Sequence, residues 1–212
     1  MILKLEWPKF ERDLRKHLES GDNTINGNAK KIADLYHRTV SKAVPKQIPG
    51  MSPFLNKFLA LSPAPIESGF KTTFNLVARS KVEPGASAWI GAATGVVKYW
   101  TGKLLTPTAL PPTTPWVGTG PGLPPVPPAT TLPSGILPYL VPPMVAFPGT
   151  PSPLNSGLHK AFHQMEEKEV AKLCRKALEN HAKTISGVLA ATIPPPGVPP
   201  APAPPLPWVG IE

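Results

Sequence analysis

One cysteine, Cys174, is all the thiol this chain of 212 residues holds. That excludes a disulfide within the chain and any cluster of metal-bound thiolates. Charge is missing from two long stretches. No Asp, Glu, Lys or Arg occurs between Pro111 and Asn155, and none between Pro194 and Ile211. Disordered linkers stay solvated because they are polar and charged, so these stretches are not ordinary linkers. No uninterrupted apolar run approaches the ~18 residues that a membrane-spanning helix needs. The N-terminus, Met1-Ile2-Leu3-Lys4, reaches charge at once and has no apolar core of signal-peptide length. A chain made and kept in a cytoplasm, or in a particle assembled there, is the expectation.

Catalytic signatures are absent too. No Gly-x-Ser-x-Gly elbow occurs, and Gly91, Gly95 and Gly102 miss the spacing of a phosphate loop, with leucine after Gly102-Lys103. His159 and His163 stand one helical turn apart, a spacing that can hold zinc, but no glutamate sits in the zincin position and no third ligand is dictated. They read as surface histidines beside Lys160; a metal-dependent hydrolase is the reading they would carry otherwise. The net charge of +9 permits contact with polyanions. Yet Lys30, Lys31, Arg38, Lys42 and Lys46 are interrupted by Asp34 and have no aromatic stacking platform. Lysines and arginines elsewhere are interspersed with acids, the pattern of solvated helix faces. The expectations are no enzymatic activity, no cofactor, no metal, and no direct nucleic-acid contact.

What is present in excess is proline: 32 residues, about three times the average share. Fifteen lie in Pro111–Pro153 and nine in Pro194–Pro207, within the charge-free stretches. Proline removes a backbone donor and clashes with the preceding helical turn, so neither stretch predicts a helix. Nor does either predict a central strand. Polyproline II and turns remain, with the apolar residues between the prolines laid against a surface. One chain offers limited surface for that, so neighbouring subunits are expected to supply the rest.

The chain also repeats itself. Thr94–Gly118 and Ser186–Gly210 align without a gap at 9 of 25 positions, opening on Gly-Val and closing on Pro-Trp-Val-Gly. Each copy reads as a helix, an extended proline-rich arm and a Trp anchor. Indole has a large apolar face and one donor, the chemistry of an interface anchor. Closure of each Trp onto its own helices is an equal reading. Neither tract carries the basic residue that usually flanks a P-x-x-P docking peptide, which argues for built-in structural arms.

The charged remainder predicts helices. Trp7–Leu18 repeats Phe10, Leu14 and Leu18 at spacing four, and Gly21-Asp22-Asn23 ends it. Asn26-Gly27 reads as a turn before a helix over Asn28–Val44. Ser52 and Pro53 open a short helix to Leu61. Ile66–Arg79 carries Ile66, Phe70, Phe74 and Val77 on one side. Ala86–Trp100 is small and apolar; Gly91 and Gly95 lower its helix propensity and mark close backbone approach. The longest helix is expected from about Gly157 to Thr192, with Glu166–Lys168 and Gly187 as places where it can break. These expectations divide the chain into a helical body (1–110), an uncharged arm (111–155), a long helix (156–193) and a C-terminal arm (194–212). The fold class is mainly α, with long irregular or polyproline II arms and a partial internal duplication.

The segments Ile32-Ala33-Asp34-Leu35-Tyr36, Gly95-Val96-Val97-Lys98-Tyr99-Trp100-Thr101-Gly102 and Pro204-Pro205-Leu206-Pro207-Trp208-Val209-Gly210 resemble small uncharacterised virion structural proteins of tailed bacteriophages. The likeness covers the helical body and both arms in scattered motifs. This chain departs in carrying Pro-Trp-Val-Gly twice, with Ala190-Ala191-Thr192 where the first copy has Lys98-Tyr99-Trp100. The resemblance implies a non-enzymatic virion component of tail, baseplate or neck, whose partners are other virion proteins and copies of itself. Its expected interface residues are Trp116, Val117, Tyr139, Leu140, Met144, Phe147, Trp208 and Val209. The alternative is a proline-rich cellular scaffold or adaptor that recruits partner domains.

Overall fold

The computed structural model describes residues 5–21, 24–43, 56–58, 61–101, 105–107, 139–140, 153–189 and 206–211. They are mainly α-helical. The helices are α1 (Trp7–Glu19), α2 (Ile25–Val40), α3 (Ala64–Arg79), α4 (Ile90–Trp100), α5 (Pro153–Phe162) and α6 (Glu167–Thr184), with a single 3-10 turn at Ala86–Trp89 before α4. Short ladders accompany them: β1 (Asn56–Phe58) pairs antiparallel with β2 (Leu105–Pro107). A second sheet has the order β3 (Tyr139–Leu140), β4 (Ser186–Leu189), β5 (Leu206–Val209), antiparallel throughout.

The helices close a ring: α1 packs on α2, α2 on α3, α3 on α4, α5 on α6, and α6 on α1, with α5 also against the 3-10 turn. Each contributes one apolar stripe to a common core, including Phe10 and Leu14 from α1, Ile32 and Tyr36 from α2, and Leu158 and Leu178 from α5 and α6. An ion pair crosses the seam between α1 and α6, where Arg175 meets Glu11 at 2.7 Å; Arg175 also meets Glu179 one turn along α6.

The core holds two aromatic groups. In one, Tyr36 meets the Tyr99 ring edge-on at 5.4 Å, and Trp100 Nε1 donates to Tyr36 Oη at 2.8 Å. Tyr99 Oη lies 2.9 Å from His37 Nδ1. In the other, Trp89 stacks on Phe162 at 4.8 Å and 14°, with Phe74 edge-on to both. Burial drives both groups, and the hydrogen bonds satisfy indole and phenol polar atoms that would otherwise be desolvated at a cost.

Helices α3 and α4 approach closely because glycine lets them. A Cβ on Gly95 would come within 2.5 Å of the Pro65 carbonyl oxygen, and one on Gly69 within 2.6 Å of that of Gly91. At the start of α4, Ala92 N–H donates to Thr73 Oγ1 at 2.9 Å. A hydroxyl of the neighbouring helix thus satisfies one of the donors that a helix N-terminus leaves open.

Several expectations are corrected. The long helix over 156–193 is two helices and a strand. It breaks between Phe162 and Glu167, leaving Met165 at 99% exposure. The break lets α5 fold back on α6, so closely that a Cβ on Gly157 would lie 2.7 Å from Ala177 Cβ. It also gives Glu167 and Glu169 a new helix N-terminus, where their charge is favourable. Asn26-Gly27 is not a turn: both lie in the first turn of α2, where Thr24 accepts from Gly27 N–H at 3.0 Å. Asn56–Phe58, expected within a short helix, is strand β1. A helix that short is marginal unless packing supports it, and here the backbone pairs with β2 instead.

The second proline tract enters a sheet after all, through Pro207 in β5. β5 is an edge strand, where a missing N–H is tolerated. The repeat does not carry one structure: Gly95 lies in α4 and its counterpart Gly187 in β4. The difference follows from what comes next. Tyr99 and Trp100 hold the first copy in the core, whereas Ala191 and Thr192 stand in those places in the second.

Candidate functional site

The charge-free tracts join the body at one end. Helix α4 stops after Trp100, whose side chain is buried, and the chain reappears as β2. Strand β3 lies beside β2 and pairs with β4, which follows α6. The carboxyl ends of α4 and α6 are therefore bridged through β2, β3 and β4. The C-terminus returns to the same place. Gly210 N–H donates to Ile185 O at 2.7 Å, Gly210 takes φ +86°, and Ile211 is buried. That dihedral lies in the left-handed region, which glycine enters without the penalty a side chain brings. The Pro-Trp-Val-Gly ending can therefore turn sharply and tuck Ile211 under the end of α6.

The expected interface residues divide into two sets. Trp208 and Val209 lie in β5, opposite Gly187 and Ser186; Tyr139 and Leu140 lie in β3, opposite Leu189 and Val188. These four are brought together on one sheet by backbone pairing within the chain. The backbone of the second Pro-Trp-Val-Gly element therefore pairs within its own chain. Trp116, Val117, Met144 and Phe147 lie outside the described residues.

The opposite end of the body has a different character. Helix α3 ends there, Phe162 at the end of α5 stacks on Trp89, and α6 begins. Three large apolar side chains are exposed: Leu76 at 53%, Val82 at 79% and Met165 at 99%. A 3.0 Å contact between His163 Nδ1 and Glu83 Oε1 ties the loop bearing Val82 to the loop bearing Met165. Between α3 and the start of α4 runs an open groove of about 590 Å³, lined by Thr72, Leu76, Arg79, Ser87, Ala88 and Ile90 among others. The sequence reading passed over this groove. Its one sequence signal is Leu76, an apolar residue off the stripe of Ile66, Phe70, Phe74 and Val77.

His159 and His163 stack at 5.6 Å, and among the described residues no group of three His, Cys, Asp or Glu is placed to hold an ion. Burial pushes the Cys174 thiol up to about 12, which keeps it protonated and a poor nucleophile. Among the described residues no helix is long and apolar enough to cross a membrane. In comparisons with known proteins, no family model, no curated protein and no solved structure matches the chain.

Proposed function

We propose that this protein is a non-enzymatic structural component of a tailed-phage virion, acting in the tail, baseplate or neck. Its proline-rich arms clasp neighbouring subunits, and a compact helical body presents the arms. The observation that carries this reading is the chemistry of the tracts. They have no charge to keep them solvated and hold Leu123, Val126, Ile136, Met144 and Phe147 among their prolines. Apolar surface of that kind gains roughly 25 cal/mol per Å² when another surface covers it. An arm that is already extended also loses less entropy on docking than a flexible loop does. The attachment of both tracts at one end of the body supports the reading further, because it makes that end a single fastening face.

The test is the solution mass of the full-length chain by size-exclusion chromatography with light scattering. Assembly beyond the monomer, weakened in Trp116→Ala with helical circular dichroism nearly unchanged, is the expected result. A monomer whose arms are cut rapidly by protease favours an adaptor that recruits other proteins, and contradicts the clasping role.

A further inference from the structure

The two ends of the body differ in a way that makes them complementary. The tracts enter and leave at the carboxyl ends of α4 and α6, where β2, β3 and β4 adjoin. The groove and the exposed Leu76, Val82 and Met165 lie at the other end. At 1.5 Å per residue, the sixteen residues of α3 put about 24 Å between those ends. The geometry points to head-to-tail association, in which Pro115-Trp116-Val117 of one copy seats in the α3–α4 groove of the next. This inference rests on the arm reading above and names its receptor.

Four observations carry it. First, the groove matches the chemistry of such a segment. Proline offers a carbonyl acceptor and no N–H, so a proline tract needs an apolar floor and donors from its receptor. Leu76, Ala88 and Ile90 supply the floor; Thr72, Arg79 and Ser87 carry the donors. Among the described residues Arg79 is in no ion pair, so its guanidinium is available to backbone carbonyls or to an indole face. Second, about 590 Å³ lies within the ~300–1,000 Å³ range of sites that bury a compact ligand.

Third, the reach suffices. Trp116 follows the last residue of β2, Pro107, by nine residues, and a chain of nine residues can span at most roughly 30 Å. That is enough to enter the groove of a copy whose groove end faces this one. Fourth, Trp208 pairs by its backbone within its own sheet, opposite Gly187, and the anchor role is assigned to Trp116. A contact between unlike ends of identical chains is heterologous, and it generates a ring when the rotation closes or a filament when it does not. Both are forms a tail or neck is built from.

The experiment uses the full chain, Trp116→Ala, Leu76→Glu, and an equal mixture of the two variants, measured by sedimentation velocity over a concentration series. Leu76 and Arg79 are both exposed, so circular dichroism should report an intact body; Arg79→Glu replaces Leu76→Glu if it does not. The expected result is association of the unaltered chain, weakened about 30-fold in each variant, as for loss of an interface hot spot. The mixture should form two-chain species and stop, because only one intact arm and one intact groove can meet. If Leu76→Glu associates like the unaltered chain while Trp116→Ala does not, the groove assignment fails and the arm reading stands. If Trp116→Ala associates normally, its anchor role in the arm reading fails. A mixture that does not pair, or an unaltered chain that is monomeric throughout, overturns the head-to-tail contact.

Discussion

Buried hydroxyls decide much at the level of single residues. Tyr36 Oη accepts from Trp100 Nε1, and Tyr99 Oη meets His37. Tyr36→Phe removes the hydroxyl that accepts from the buried indole N–H, at an expected cost of about 1–3 kcal/mol. Chemical denaturation of the variant measures this directly. Desolvation raises both phenols far above their ordinary range, and Tyr99 is raised further by its neighbour Tyr36. A raised pKa means that the folded state keeps its proton after the unfolded chain begins to release it. The stabilisation is therefore fully present below the ordinary tyrosine pKa of about 10 and is lost as pH climbs beyond it. Melting temperature should fall above about pH 10, and part of that fall should vanish in Tyr36→Phe. Cys174, equally buried, should react with a thiol reagent only once the chain is unfolded; fast labelling under native conditions would contradict its placement.

At the scale of the elements, close helix packing explains where glycine is needed. Gly95→Ala drives a methyl against the Pro65 carbonyl, backbone that cannot rotate away, and should cost about 1–3 kcal/mol. Gly85→Ala meets nothing within 4 Å and should change stability by less than about 1 kcal/mol. Urea titrations of the two variants test the contrast. Elements with a strong apolar period were legible in the sequence: α1 and α3 follow from Phe10 and Leu14, and from Ile66 and Phe70. The backbone approach at Gly91 and Gly95 was legible for the same reason, since glycines inside an apolar helix have few other uses. The break before α6 falls beside Glu166–Lys168, one of the two places the sequence offered, although periodicity alone runs through it. Leu158, Phe162 and Met165 continue the stripe, and only folding back on α6 decides that Met165 turns to solvent. The first turn of α2 was hidden because Asn26-Gly27 has the composition of a turn, while the deciding contact comes from the Thr24 side chain. Strands β3 to β5 depend on pairing between distant segments, which local composition does not report.

At the scale of the whole molecule, the described residues form a ring of six helices, with β2, β3 and β4 adjoining at one end and an exposed apolar groove at the other. Composition marks the charge-free tracts as unsuited to helix, and most of both tracts lies outside the described residues. The α3–α4 groove was not legible, since it is built from surfaces that only folding brings together. The 31 residues between β2 and β3 begin and end beside one another, so they can be shortened without pulling the body apart. The most direct test of the clasping claim compares the light-scattering mass of the full chain with that of a variant in which residues 111–135 are replaced by a short Gly-Ser linker. The account predicts multiples of 22.6 kDa for the full chain and a folded monomer for the variant. Equal masses for the two, with equal helical content, would contradict it.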